Sequence, residues 1–256
     1  MTKKLMCMAL ASLVGATALN AQENTSVPAR KAHFAKDGAK SHWFLEIGDA
    51  ASYQFSGMNY YDFDRKGGVN FVNPSLAIGR WHNPYFATRA RATYGNFTDR
   101  FHLEGDTKTG YEATHKYAMG QVDFMFDVVN YFAPYRENRF FHLIPWVGVG
   151  YQHKFIGSEW SKDNVESLTA NVGVMMAFRL GKRVDFVIEA QAAHSNLNLS
   201  RAYNAKKTPV FEDPAGRYYN GFQGMATAGL NFRLGAVGFN AIEPMDYALI
   251  NDLNGQ

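Results

Sequence analysis

Residues 165–180 read Val-Glu-Ser-Leu-Thr-Ala-Asn-Val-Gly-Val-Met-Met-Ala-Phe-Arg-Leu, and their side chains alternate in kind. Leu168, Ala170, Val172, Val174, Met176, Phe178 and Leu180 share one parity. Ser167, Thr169, Asn171, Gly173, Ala177 and Arg179 share the other, with Met175 as an apolar intruder. A period of two is the mark of a β-strand, because successive side chains point to opposite faces. Strands of ordinary soluble domains run to about 5–6 residues, whereas a tilted strand that crosses a bilayer needs about 9–11. This stretch has the second length. A similar one follows at 222–234, where Phe222, Gly224, Ala226, Ala228, Leu230, Phe232 and Leu234 alternate with Gln223, Thr227, Asn231 and Arg233. Two such strands in a chain with a secretory leader predict a membrane barrel.

The leader is read from the first residues. Lys3 and Lys4 precede a mostly apolar stretch, Leu5 to Ala18. Ala16-Thr17-Ala18 supplies a small-residue cleavage site, and cleavage after Ala21 fits as well. The apolar stretch falls short of the ~20 residues of a spanning helix, which argues for a signal peptide at 1–21 over an anchor. Cys7 lies in the segment to be removed, so the mature chain has no disulfide framework and no thiol metal site. Without Lys3 and Lys4 the formal charge falls from +3 to +1 (3 − 2), and nothing calls for nucleic acid as a partner. The 15% aromatic content and 23 glycines suit a barrel with aromatic girdles and close strand packing.

A pass along the chain places a flexible periplasmic lead at 22–41 and then eight strands: 42–54, 70–81, 85–95, 114–130, 140–155, 165–180, 184–195 and 222–234. Loops are expected at 55–69, 96–113, 156–164 and 196–218, and turns at 82–84, 131–139 and 181–183. Long and short connections largely alternate, as in outer-membrane barrels whose extracellular loops are long and periplasmic turns short. The expected fold is all-β, an eight-stranded antiparallel up-and-down transmembrane β-barrel at 42–235. Asp49 breaks the apolar parity of the first strand, so a bulge or register change is expected beside it. Trp43, Trp81, Tyr85, Phe86, Tyr131, Phe132, Phe140, Phe178, Phe186 and Phe232 fall near strand ends on the periplasmic side and read as an interfacial belt.

The charges decide which parity faces lipid. An arginine facing lipid at the midplane costs about 2–4 kcal/mol. Glu46, Arg89, Arg91, Asp123, Asp127, Arg179, Glu189 and Arg233 all lie opposite the apolar stripes or near strand ends. They are expected to form a charge network inside the barrel, with Glu46, Asp123 and Glu189 facing arginines such as Arg89, Arg91 and Arg179, because a buried unpaired charge is costly. The competing reading leaves some of them solvated at the rims. Eight strands leave an interior that side chains fill, which disfavours bulk diffusion.

Other signals are weak. Gly148-Val149-Gly150 has no βαβ unit around it and is no dinucleotide fingerprint. Three glycosylation sequons, at Asn24, Asn96 and Asn198, are taken as chance in a bacterial envelope protein. His142, His153 and His194 are read as hydrogen-bonding residues near the rims, with no metal-ligand spacing. No Ser/His or Asp/His constellation stands out, so no catalytic residues, cofactor or metal are expected.

Four segments carry a resemblance: Asp123 to Phe132, Ile144 to Gly150, Met225 to Gly235 and Pro244 to Leu253. Together they resemble the β-barrel half of an OmpA-family outer-membrane protein of the Bacteroides–Porphyromonas group, over roughly 42–253. The resemblance implies a barrel, then a linker beginning at 236–256 in which Asp246 caps a helix, then a peptidoglycan-binding domain whose residues do not occur in these 256. It implies a structural barrel that contributes to envelope integrity and displays surface loops, with outer-membrane lipid and lipopolysaccharide as partners. Peptidoglycan would be reached only through the C-terminal domain, and oligomerisation through the tail stays open. The alternatives are a small low-conductance porin and a membrane-embedded barrel enzyme. A soluble lipocalin-like barrel is a further rival.

Overall fold

The structure is a computed structural model, and it describes residues 33–34, 41–55, 69–102, 110–155, 165–195 and 221–242. Two units are distinguished. One spans Phe34–Asn240, and the described residues of the other are His33, Ala241 and Ile242, all in extended conformation. The signal segment 1–21, most of the lead at 22–41, the expected helix after Asp246 and the middles of the long loops lie outside the described residues.

Among the described residues of the large unit are eight long strands. They are β1 (Trp43–Phe55), β2 (Pro74–Trp81), β3 (Phe86–His102), β4 (Gly110–Phe126), β5 (Phe141–Lys154), β6 (Val165–Arg179), β7 (Val184–Ser195) and β8 (Gly221–Leu234). Each pairs antiparallel with the next, and β8 returns to β1 from Leu234↔Trp43 to Phe222↔Phe55. The closure leaves no open edge along these pairs, the condition for placing a sheet in hydrocarbon, where unmatched N–H and C=O groups cost several kcal/mol each.

The two parities separate as the alternation requires. On β6, Val172 is 55% exposed and its neighbour Asn171 only 1%. The outward side chains of all eight strands include Ile47, Ile78, Phe86, Phe124, Val147, Val174, Ile188 and Leu230, all exposed, while Glu46, Arg89, Asp123, Gln191 and Thr227 are buried inside. This is the inverse of a water-soluble barrel, whose outer face is polar. Among the described residues no helix is long and apolar enough to cross a membrane, so any crossing falls to the strands.

The register change expected near Asp49 is present. β1 pairs β2 in one register up to Asp49↔Pro74 and then pairs Val69–Asn70 with the sum of partner numbers lowered by one, at Ser52↔Asn70. The extra residue therefore lies on the partner side, between Asn70 and Pro74. Asp49 Oδ1 accepts from Asn73 N at 2.7 Å, and Asn73 Nδ2 donates to Ala50 O and Asn70 O at 2.7 and 2.9 Å. The second expected strand, 70–81, is thus interrupted at 71–73.

Three expectations need correction. The loop expected at 96–113 is mostly strand, since β3 and β4 stay paired out to His102↔Gly110. Thr98 and Thr114 hydroxyls meet across the ladder at 3.1 Å, a favourable cross-strand pair, and polar residues on both parities hide the alternation here. The fourth strand ends at Phe126, not at 130, because Val128–Phe132 is a short helix, α1. Asp127 caps it by accepting from Asn130 N at 3.0 Å. Lastly, Trp81 does not join the aromatic belt. It shares the inward parity of Ala77 and Gly79 and packs on the apolar core. The belt otherwise makes ring contacts such as Phe86–Phe126, Tyr85–Tyr131 and Phe140–Phe178 at 5.0, 5.6 and 6.0 Å. They lie at the end bearing the short connections, called the base below.

Replacing outward Val174 by Arg puts a charge on the hydrocarbon face. A penalty of about 2–4 kcal/mol is expected at the midplane, read as a lower yield of folded, heat-modifiable barrel in lipid vesicles. Wild-type assembly of this variant would place Val174 off that face.

Candidate functional site

The barrel interior is filled in layers, and each layer follows from which strands bring which residues inward. Nearest the base is an apolar layer of Phe44, Ala87, Met125, Ile144, Trp146, Met175, Ala177 and Val187. Two glycines make room for its rings. Gly79 lies opposite Phe44 and Gly173 opposite Trp146. A Cβ on Gly173 would strike the indole of Trp146 and come within 2.7 Å of Ala190 O. The lumen at Gly173 is therefore already occupied by a side chain.

Above this layer sits an ion cluster. β3 and β4 place Arg89 directly opposite Asp123, and Arg89 Nε donates to Asp123 Oδ2 at 2.9 Å. Arg89 Nη1 reaches Glu189 Oε2 at 2.8 Å and Glu46 Oε2 at 3.2 Å. Arg91 donates from Nη2 to Glu46 Oε1 and Glu189 Oε2 at 2.8 and 2.7 Å, and its Nη1 also contacts Glu189. Gln121 ties the cluster to β7: its Nε2 donates to Asp123 Oδ1 at 2.8 Å, and its Oε1 accepts from Gln191 Nε2 at 3.0 Å. Both guanidinium groups lie over the Trp146 ring, 5.2 and 5.9 Å from its centroid, an arrangement that favours cations. The Arg89 side chain is 0% exposed and no side chain of the cluster exceeds 2%. Toward the top, Ser52, Asn73, Tyr117, Gln152 and Gln223 are buried as well, and Gln152 Nε2 donates to Gln223 Oε1 at 3.2 Å.

At the base lies a second polar group. Arg179 and Asp185 face each other across the β6–β7 hairpin. Arg233 Nε donates to Asp185 Oδ2 at 2.8 Å, while Arg179 Nε stands 3.7 Å from Oδ1. Next to them, His142 Nδ1 lies 2.6 Å from Asp127 Oδ2. Residues after β8 fold beneath: the Phe239 ring stacks on His42 at 3.9 Å and meets Phe34 and Tyr135 edge-on. Phe239 N donates to the Tyr135 hydroxyl at 3.1 Å, and burial pushes the Tyr135 phenol up from its usual range.

The eight charged residues singled out from the sequence thus fall into groups. Glu46, Arg89, Arg91, Asp123 and Glu189 are brought together. Asp127 is not with them, since it caps α1 and binds His142. Arg179 and Arg233 are not with them either, and they meet Asp185, which the sequence reading passed over. Asp185 carries the same parity as Glu189 and Gln191, which is the signal for it. His142 sits at the end of β5 nearest the base, buried and hydrogen-bonded to Asp127, and its parity with Ile144 and Trp146 points inward. His153 does sit at the top, 3.7 Å from Glu166. Among the described residues no group of three or more His, Cys, Asp or Glu is arranged to hold a metal ion.

Comparison with known proteins places this barrel in context. No protein-family model matches the chain. Outer membrane protein 41 of Porphyromonas gingivalis (strain ATCC BAA-308 / W83) is 68% identical over 256 residues, covering 96% of this chain. Outer membrane protein 40 of the same organism is 39% identical over 264 residues, covering 100% of it. The chain spans 63% and 64% of the length of these two relatives. Among solved structures, Neisserial surface protein A aligns at 9% identity with a TM-score of 0.49, over 75% of this chain and 97% of its own.

Glu189→Gln removes the carboxylate shared by Arg89 and Arg91. Breaking a buried pair from one side costs about 3–5 kcal/mol, so the midpoint of reversible urea unfolding in vesicles is expected to fall clearly. Glu166→Gln, on the exposed rim, is expected to change stability by less than about 1 kcal/mol. Equal effects of the two would contradict the central role of the cluster.

Proposed function

We propose that this chain, an outer-membrane β-barrel of the group represented by the two Porphyromonas gingivalis proteins, is a closed structural barrel rather than a pore or an enzyme. The observation that carries the reading is the continuous filling of the lumen. An apolar layer and a fully buried ion cluster lie in series across the path an ion would take. A hydrated ion would have to separate Arg89 and Arg91 from Glu46 and Glu189 and then pass Trp146 and Phe44. The charged side chains of the central cluster are engaged with one another, which speaks against an exposed reacting group there.

In this role the barrel contributes to envelope integrity. Its outward face meets outer-membrane lipid and lipopolysaccharide, and the short connections at the base put that end on the periplasmic side. Display of loops to external partners at the opposite end belongs to the same reading. Peptidoglycan attachment is assigned to none of the residues described.

Planar-bilayer recording on the folded, detergent-purified barrel separates the readings. No steady conductance is expected at moderate voltage. A reproducible ohmic conductance that scales with salt would favour the small porin and overturn the closed-barrel reading.

A further inference from the structure

The rim of the base is basic. Outside the Arg179–Asp185–Arg233 group, the described residues at this end include Arg80, Arg136, Arg139, Lys182 and Arg183, all exposed or half-buried. Glu137 is the exposed carboxylate among them, since Asp127 is buried. Five positive groups against one negative leave an excess of four (5 − 1). At the opposite end the strands carry exposed Lys116 and Glu166, one of each sign.

The basic groups are not spread evenly. Strand pairing lays Arg183, Trp43 and Arg80 along one arc. Arg233 N donates to Arg183 O at 2.8 Å, Leu234 lies opposite Trp43, and Trp43 lies opposite Arg80. From β7 through β8 and β1 to β2 is three strand spacings, about 14 Å. Lys182 adjoins Arg183 in the β6–β7 turn, and both are exposed. Among the described residues neither is ion-paired. Arg183 Nη1 donates to Arg233 O and Gly235 O at 3.4 and 3.2 Å, both uncharged acceptors. Arg80 has the lipid-facing parity of Leu76 and Ile78, and its Nε donates to Ser41 O at 3.2 Å. Directly above the arc the outer face is apolar, with Leu180, Leu234, Trp43, Ile188 and Leu230 exposed. On the far side of the barrel Arg136 and Arg139 are accompanied by Glu137, and Arg139 donates to Asn130 Oδ1 and Pro134 O.

We propose that the arc of Arg80, Lys182 and Arg183 docks anionic phospholipid, with the headgroup phosphate against these cations and the acyl chains along Leu234, Leu230 and Ile188. In the topology proposed above this is lipid of the periplasmic leaflet. The leaflet rests on that reading, and the headgroup preference does not. The arc lies at the level of the aromatic belt, where headgroups meet a membrane protein, and each Lys or Arg beside an anionic membrane surface is attracted to it. A zwitterionic headgroup would bring an ammonium group as well, and among the described residues the arc offers it no exposed carboxylate. An acidic protein would match the charge alone, whereas a phospholipid matches both the charge and the apolar face that adjoins it.

The test uses the full chain folded in phosphatidylcholine vesicles, with Trp43 as its only tryptophan and Phe at 81, 146 and 160. Brominated phosphatidylglycerol and brominated phosphatidylcholine are compared as quenchers at equal mole fraction. Phosphatidylglycerol is expected to be enriched around Trp43 by at least about fivefold at low salt, the effect of one cation at an anionic surface. The enrichment is expected to shrink in about 1 M salt, where charges are screened within about 3 Å. Replacing Arg80, Lys182 and Arg183 together by Gln, with folding checked by heat-modifiable mobility, is expected to abolish it. A second barrel with Phe140→Trp as its only tryptophan reports from the foot of β5, on the far side, and needs no charge variant. Its preference is expected to be severalfold smaller. Equal quenching by the two lipids at Trp43, a preference that survives the triple variant, or the same preference at Phe140→Trp would overturn the proposal. Labelling of Lys182→Cys by an impermeant maleimide on intact cells would overturn the leaflet assignment, and the vesicle comparison would still decide the headgroup preference.

Discussion

Charged groups cannot rest in hydrocarbon and backbone N–H and C=O groups cannot go unmatched there. Every other feature of this barrel follows from meeting both conditions at once. Closing β8 onto β1 matches the backbone groups along the paired strands. Alternation then sends every second residue into a narrow enclosed space, and the charges on that parity must find one another. The five-residue cluster of Glu46, Arg89, Arg91, Asp123 and Glu189 draws on β1, β3, β4 and β7, so it fixes the mutual register of strands that are not all neighbours. A slip by one residue would turn both the cluster and the aliphatic stripe to the wrong side.

The cluster is a source of specificity more than of net stability. Bringing charges out of water is expensive, and a well-paired buried group recovers that cost without a large surplus. Its value here is that the observed register brings three carboxylates to two guanidinium groups, and a slip by one residue would turn a strand's share of them to the other face. Trp146 adds a second constraint, because its ring needs the empty place at Gly173 on one side and supports both guanidinium groups on the other. The apolar layer beneath finishes the seal, so specificity and closure arise from the same inward residues.

The sequence made the parity legible and left the partners open. Glu46, Arg89, Asp123 and Glu189 are each opposite an aliphatic stripe, which is enough to send them inward. Which acid meets which base depends on register between strands, and register is fixed by turn geometry that a period of two does not carry. Arg179 is the clear case: the Gly181–Arg183 turn sets it against Asp185 instead of Glu189. The hairpin arms beyond Gly95 are illegible for a different reason, since a strand with polar residues on both parities has no alternation to read. Helix α1 had a local signal, Asp127 three residues ahead of Asn130, but the strand pattern running into it from Phe124 and Phe126 masked the cap.

The most direct test of the inside–outside assignment uses Trp146 as a reporter. The chain has four tryptophans, and a barrel retaining Trp146 alone, with Phe at 43, 81 and 160, isolates its fluorescence in vesicles. With its indole between the guanidinium groups and the apolar layer, Trp146 is expected to resist quenching both by aqueous acrylamide and by brominated lipid, whereas a barrel retaining Trp43 alone is quenched by the lipid. Quenching of Trp146 by brominated lipid would mean that β5 presents the opposite face, and quenching by acrylamide would mean that water fills the lumen. Either result would contradict the account.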